Sequence, residues 1–198
     1  PAWVCPLDLA ERQRISPRHN PFFKFGEAEF FVAFRNGGPV GRISAHIDIA
    51  YNAHHGARWG WFGFFESIDD QQVADALLDA AEAWLGAKGM ERMVGPADFT
   101  VNDESGIVVE GHDIPPMIRE PWHPRYYQPL MEQAGMEKVV DLFMYHLDVS
   151  ERENVHPALV EVGEAAVRDH GVVIRKMTRR RLRRDLDVFA EIYNRAWR

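Results

Sequence analysis

The chain has a single cysteine, Cys5, which excludes an internal disulfide and a cluster of thiolate metal ligands. No apolar run approaches the roughly 20 residues needed to cross a bilayer, and no stretch has the pattern of a signal peptide. A net basic charge is also lacking. Lys and Arg number 23 against 30 Asp and Glu, a formal charge of -7, whereas nucleic-acid binders need a basic footprint to neutralise phosphates. There is no internal repeat and no low-complexity segment. What remains, 198 residues at 46% hydrophobic and 27% charged, reads as a globular chain of one domain, or one plus a fragment. The expected setting is cytoplasmic, with neither nucleic acid nor membrane as partner. Because the chain starts at Pro1 inside an apolar stretch and ends in a helical pattern without a stop signal, it reads as a piece of a longer polypeptide.

Several elements are legible. "EFFVAFRNGGPVGRISAHIDIAY" is a hairpin, with Phe30, Val32 and Phe34 alternating before the turn residues Asn36-Gly37-Gly38-Pro39. "YNAHHGARWG" reads as a loop. "WGWFGFFESI" is a nearly continuous aromatic run, as in a strand buried on both faces, and Gly60 and Gly63 suggest a bulge or a close backbone approach. A helix follows, with Val73, Leu77, Ala80, Ala81, Trp84 and Leu85 at helical spacing. Ser67 and Asp70 resemble a capping box, and Gly86 or Gly89 supplies the end. "MERMVGP" is a short strand. Residues 97–122, rich in turn formers and prolines, form a long loop of the kind that is usually functional or mobile. A helix is expected from about Pro124 to Gly135, then a strand over "VVDLFMYHLDV". Two amphipathic helices close the chain, with "VVIRKM" a possible strand between them. A hairpin followed by a strand–helix–strand unit points to a mixed sheet.

The order of these elements, and the stretches "GRISAHIDIAYN", "GFFESIDDQQVADALLDAAEAWLGAKGMERMVGPADFTVNDESGIVVEG" and "YYQPLMEQAGMEKVVDL", resemble the GNAT superfamily of N-acetyltransferases over roughly residues 29 to 149. They are most similar to a bacterial GNAT-like subgroup of unassigned substrate, whose members continue into a second GNAT-like half. The resemblance implies an α/β (α+β) fold: a mixed, mostly antiparallel twisted sheet, helices on both faces and splayed central parallel strands. It implies a GNAT-like domain over 1–149 and, over 150–198, a linker and the start of the second half, in cis or replaced by a homodimer partner. The implied activity is transfer of an acyl group from acetyl-CoA, or another acyl-CoA, to an amine acceptor, without a metal. Pantetheine would lie between Gly60–Ser67 and Met90–Gly95 and the pyrophosphate on backbone N–H groups from Ile68 onward, so the cofactor contacts fall on Phe65, Ser67, Ile68, Gln72, Val73, Ala74 and Asp75. A helix N-terminus suits an anion on physical grounds as well. Two departures stand out. Asp69 and Gln72 occupy positions where the family has Arg or Gln and Gly, and Met131 stands where it often has its acidic Tyr, although a thioether cannot donate a proton.

Acyl transfer to an amine needs a base, an oxyanion donor and an acid. Glu66, beside an aromatic run, is the candidate base; the plainer reading is a solvated strand end or a helix cap. Backbone N–H groups of a bulged strand would serve the oxyanion. Tyr126 and Tyr127, about one turn before Met131, are candidate acids. Asn102, Asp103 and Glu104, together with Glu110 and Asp113, form either an acidic pocket for a cationic amine substrate or a solvated loop with Asx turns. The histidines His46, His54, His55, His112 and His123 match no ligand spacing. "RKMTRRRLRR" adjoins Asp185, Asp187 and Glu191 and reads as a solvated or interdomain face. Two other readings share the fold: a domain without catalysis that binds a ligand or supports a second half, and an acyltransferase with a donor other than CoA.

Overall fold

The computed structural model describes residues 3–100, 102–117, 120–145, 150 and 155–196. It divides into two compact units, residues 1–142 and 143–198.

The first unit is built on a four-stranded sheet of order β1-β2-β3-β4. The strands are β1 (Gly26–Arg35), β2 (Gly38–Asp48), β3 (Trp59–Ser67) and β4 (Arg92–Val94). The pairs β1–β2 and β2–β3 are antiparallel, and β3–β4 is parallel. This is the mixed α+β architecture expected. The hairpin turn works because Asn36 (φ 53) and Gly37 (φ 81) both take positive φ, the geometry that matches the twist of the flanking strands.

The described residues of this unit hold four α-helices, α1 (Asp8–Arg14), α2 (Ile49–His55), α3 (Gln71–Ala87) and α4 (Tyr127–Gln133), and a short 3-10 helix at Pro21–Lys24. The stretch expected to be a loop contains α2. Asp48 caps it by accepting from Tyr51 N–H, and left-handed Gly56 (φ 60) ends it, so its caps decide the matter without an apolar stripe. The cap of α3 is Asp70, which accepts from Val73 N–H; the Ser67 hydroxyl instead donates to Ile68 O. Gly89 (φ 78) supplies the terminating left-handed residue, and Gly86 lies inside the helix. The last helix of the unit starts at Tyr127, three residues later than Pro124.

One face of the sheet packs on α3 and α4. Ile43, Ala45 and Ile47 of β2, Phe62 and Phe65 of β3, Val73, Leu77 and Leu85 of α3, and Tyr127, Leu130 and Met131 of α4 make one buried cluster. On the other face Phe22, Phe64 and Phe99 form a smaller one, with His46 and Phe30 at its border. The switch in β3, with Phe62 on one face, Phe64 on the other and Phe65 back on the first, comes from a bulge. Two steps along β2, Arg42 to Ser44, face three along β3, Glu66 to Gly63. Phe64 has φ 48, and the extra residue reverses which side chains point where. Gly60 and Gly63 mark close approaches instead. An added Cβ at Gly60 would meet Leu85, and one at Gly63 would meet the backbone of Ala97.

Residues 136–142 carry no strand. In the second unit, the described part of the other half of that expected strand, 143–145, and the expected strand over 172–177 are also irregular; residues 146–149 lie outside the described residues. The second unit contains α5 (Pro157–His170) and α6 (Leu182–Ala196). The Arg175 guanidinium donates to both oxygens of buried Asp185 at 2.8 and 2.6 Å. Among the described residues no helix is long and apolar enough to cross a membrane.

Candidate active site

The parallel ladder of β3 and β4 ends at Trp61 and Val94. Beyond that point the edge of β3 is met by other groups. Ala97 N–H donates to Phe62 O at 2.8 Å, and Phe64 N–H donates to Asp98 Oδ1 at 2.7 Å. Two residues of α4 and its cap then clamp Ser67: its N–H donates to the Tyr127 hydroxyl at 3.1 Å, and its carbonyl accepts from the Tyr126 hydroxyl at 2.9 Å.

Glu66 stands at this edge. Its Oε2 accepts from the Tyr127 hydroxyl at 2.7 Å, and its Oε1 faces Arg42 Nη2 at 3.8 Å. Glu66 is exposed and Tyr127 fully buried. Burial, and after it the Glu66 charge, push the Tyr127 hydroxyl well above the ordinary range, which keeps it a neutral donor. His123 lies against Tyr127 with ring centroids 5.2 Å apart. Burial, then His112, lower His123 to about 4. Its Nδ1 accepts from Val108 N–H at 3.2 Å, so the neutral ring carries its proton on Nε2. His112, Trp122, His123 and Arg125 line a cleft of about 480 Å³ next to this corner.

On the other sheet face, beside the Phe64 ring, a charged group sits over the bulge. Arg14 Nη2 contacts Asp98 Oδ2 at 2.7 Å, Nη1 reaches Glu104 Oε1 at 3.5 Å, and the guanidinium lies 4.8 Å from the Phe64 ring centroid. Burial pushes the Asp98 carboxyl up to about 6 against the pull of Arg14. Burial likewise raises Glu104.

The structure thus brings Glu66, Ser67, Tyr126 and Tyr127 into one hydrogen-bonded corner, with Phe65 behind it, 5.2 Å from the Tyr127 ring. Glu104 joins Arg14 and Asp98. Asn102 and Asp103 sit in a turn with Thr100, whose Oγ1 accepts from Asn102 N–H at 3.2 Å and donates to Asp103 Oδ2 at 3.4 Å. Val73 and Ala74 have side chains in the core, Ile68 and Gln72 are exposed, and Asp75 accepts from Gln71 Nε2 at 2.7 Å. Arg14, Arg42 and Asp98 were not among the candidates from sequence, because Arg14 is far along the chain from Asp98, Arg42 from Glu66 and Asp98 from Phe64. His123, weighed there only as a metal ligand, packs on Tyr127 four residues on.

The N-terminus of α3 is a poor match for a pyrophosphate. Val73 N–H already meets the Asp70 carboxylate at 3.3 Å, and Arg35 clasps that carboxylate at 2.7 and 3.3 Å. The Arg35 hydrogen bonds hold Asp70 below the usual carboxylate range. A second anion would therefore compete with the Asp70 carboxylate for the helix donors.

Comparison with known proteins adds to this geometry. No family model matches the chain, and no solved structure matches it. The chain is 36% identical over 201 residues to a Caulobacter vibrioides protein named bacterial ceramide synthase, covering 100% of this chain and 51% of that protein. It is 34% identical over 197 residues to an Escherichia coli protein named YghO, covering 100% of this chain and 50% of that one. The chain spans about half the length of the curated relatives it matches.

Proposed function

We propose that this chain is the GNAT-like half of an acyltransferase that forms an amide on an amine acceptor. The observation that carries the reading is the Glu66 carboxylate. It stands exposed at a bulged strand edge, with Oε2 held by Tyr127 and Oε1 paired only with the exposed Arg42 at 3.8 Å, within reach of an incoming ammonium group. Glu66 takes a proton from the acceptor's ammonium. The neutral nitrogen then attacks the acyl carbonyl of a thioester, the new C–N bond forms, the C–S bond breaks, and the proton lost by the nitrogen passes to the departing sulfur, which leaves as the carrier's thiol. The name of the Caulobacter relative supports the same chemistry, since a ceramide is the amide of a long-chain amino alcohol. On that reading the acceptor is a long-chain amine.

The Asp70–Arg35 clasp at α3 favours one variant of this proposal: a thioester donor that does not rest its phosphates on α3, such as an acyl group on a carrier other than CoA. The test is amide formation by the full-length protein, with acyl-CoA and carrier-bound acyl donors compared, on wild type and Glu66→Gln. Loss of a general base lowers kcat by about 10²–10⁴-fold. A Glu66→Gln enzyme with unchanged kcat would remove Glu66 from the chemistry and leave the non-catalytic reading of this half.

A further inference from the structure

Phe62 faces α3, and ordinary strand alternation would send Phe64 and Glu66 the same way. Glu66 would then lie in the core formed by Ile43, Leu77 and Tyr127. It escapes only because the bulge at Phe64 reverses the alternation. That bulge costs energy. Phe64 (φ 48) and Phe99 (φ 69) are both aromatic residues in the left-handed region, and their rings touch, with centroids 5.0 Å apart. Such outliers persist only where the surroundings over-determine them, and they gather at functional sites.

Asp98 connects the two. It precedes Phe99 in the chain, and its Oδ1 accepts the Phe64 N–H at 2.7 Å. Its own backbone is fixed, because Asp98 N–H donates to Glu104 O at 2.8 Å and Ala97 N–H donates to Phe62 O at 2.8 Å. Arg14 holds the other carboxylate oxygen and covers the Phe64 ring. A carboxylate this enclosed does more than pair with an arginine.

We infer that Asp98 is a positioning residue: by holding the Phe64 N–H it maintains the β3 bulge and so aims Glu66 away from the core, onto the face where the acceptor amine arrives. The consequence for turnover rests on the acyl-transfer reading above; the hold on the bulge does not.

Two substitutions separate the hold from the charge. Asp98→Asn keeps an oxygen acceptor for Phe64 N–H, whereas Asp98→Ala removes it. In the full-length protein Asp98→Ala lowers kcat by about 30-fold with KM changed by less than about threefold, while Asp98→Asn retains most of the activity. Equal losses in both variants would show that charge, not the hold on Phe64, matters, and would overturn the inference.

Amide spectroscopy gives a readout that needs no activity. The wild-type Phe64 amide proton titrates with a midpoint near 6, and in Asp98→Asn it does not. The groups facing Asp98 are Arg14 of α1, Arg42 of β2 and Glu104, so a shift from Glu104 would persist in the Asn variant. Ser67 N–H, held by Tyr127, exchanges about tenfold faster in Asp98→Ala only. A Phe64 amide that does not titrate, with Ser67 exchange unchanged in Asp98→Ala, refutes the inference. Both signatures together with wild-type protein that acylates no amine refute the acyl-transfer reading while upholding Asp98 as the group that aims Glu66.

Discussion

Replacing Tyr127 by Phe removes one oxygen atom and leaves the ring on Phe65 and His123. Two hydrogen bonds go with it, and their costs differ. Ser67 is buried, so its N–H loses the Tyr127 hydroxyl at a place shielded from water. An unsatisfied buried donor costs about 1–3 kcal/mol. Glu66 is exposed, so its Oε2 regains water, and the loss there is well under about 1 kcal/mol. The sum is about 2 kcal/mol, nearly all from Ser67. At about 2–4 °C per kcal/mol for a chain of this size, Tm falls by about 4–8 °C. At an m-value of about 2 kcal/mol/M the urea midpoint drops by about 1 M with m unchanged. The paired measurement is Glu66→Gln made in both backgrounds. Because Glu66 contributes little to stability, the two Glu66→Gln effects agree within about 0.5 kcal/mol. A Tyr127→Phe protein with wild-type Tm, or a large coupling to Glu66, would show that the strand edge is not closed in this way.

Other expectations follow from the same packing. Gly60→Ala forces a methyl against Leu85, where the added Cβ lies 2.7 Å from Cδ1, and costs about 1–3 kcal/mol in urea unfolding. Leu85→Ala alone costs about 2–5 kcal/mol, and the double variant is less damaging than the sum by at least about 1 kcal/mol; strict additivity would place the two apart. Gly37→Ala meets no atom within 4 Å, so its cost of about 1 kcal/mol is purely that of a left-handed non-glycine residue. A loss above about 3 kcal/mol in thermal melts would contradict an open turn.

The Asp98 carboxyl gives a stability profile of inverted sign. Its folded pKa, about 6, is raised above the ordinary value of 3.8, so the folded state binds this proton more tightly than the unfolded state does. The contribution is present below about pH 4 and is lost as pH climbs to about 6, up to about 3 kcal/mol. Asp98→Asn lacks that decline, and parallel profiles for the two proteins from pH 4 to 7 would refute it.

Where local rules dominate, the fold was legible. The hairpin announced itself through Asn36-Gly37, because few residues accept positive φ in succession, and α3 through its alanines and apolar spacing. The corner at Glu66 was legible only as a set of separate residues. Glu66 and Tyr127 are 61 positions apart, and Phe64 and Asp98 are 34. Gly60 and Gly63 suggested a bulge or a close approach; both show the close approach, and the bulge at Phe64 was not legible for a physical reason. In "WFGFF" almost every residue is apolar, so a change of face leaves no trace in the hydropathy pattern. The helix α2 was missed because seven residues ending in two histidines show no stripe, although Asp48 and Gly56 are readable caps. The expected strand after Gly135 has the apolar content of one, yet the described residues 136–145 form no strand.

The reversal in β3 gives that strand a parity. Between Phe62 and Glu66 the number of residues decides whether a carboxylate meets water or hydrocarbon, and one residue more or fewer swaps the answer for everything downstream. Length changes here must come in twos, or be matched by a second irregularity on β2. A lineage can therefore vary which side chains occupy this segment far more freely than it can vary how many there are.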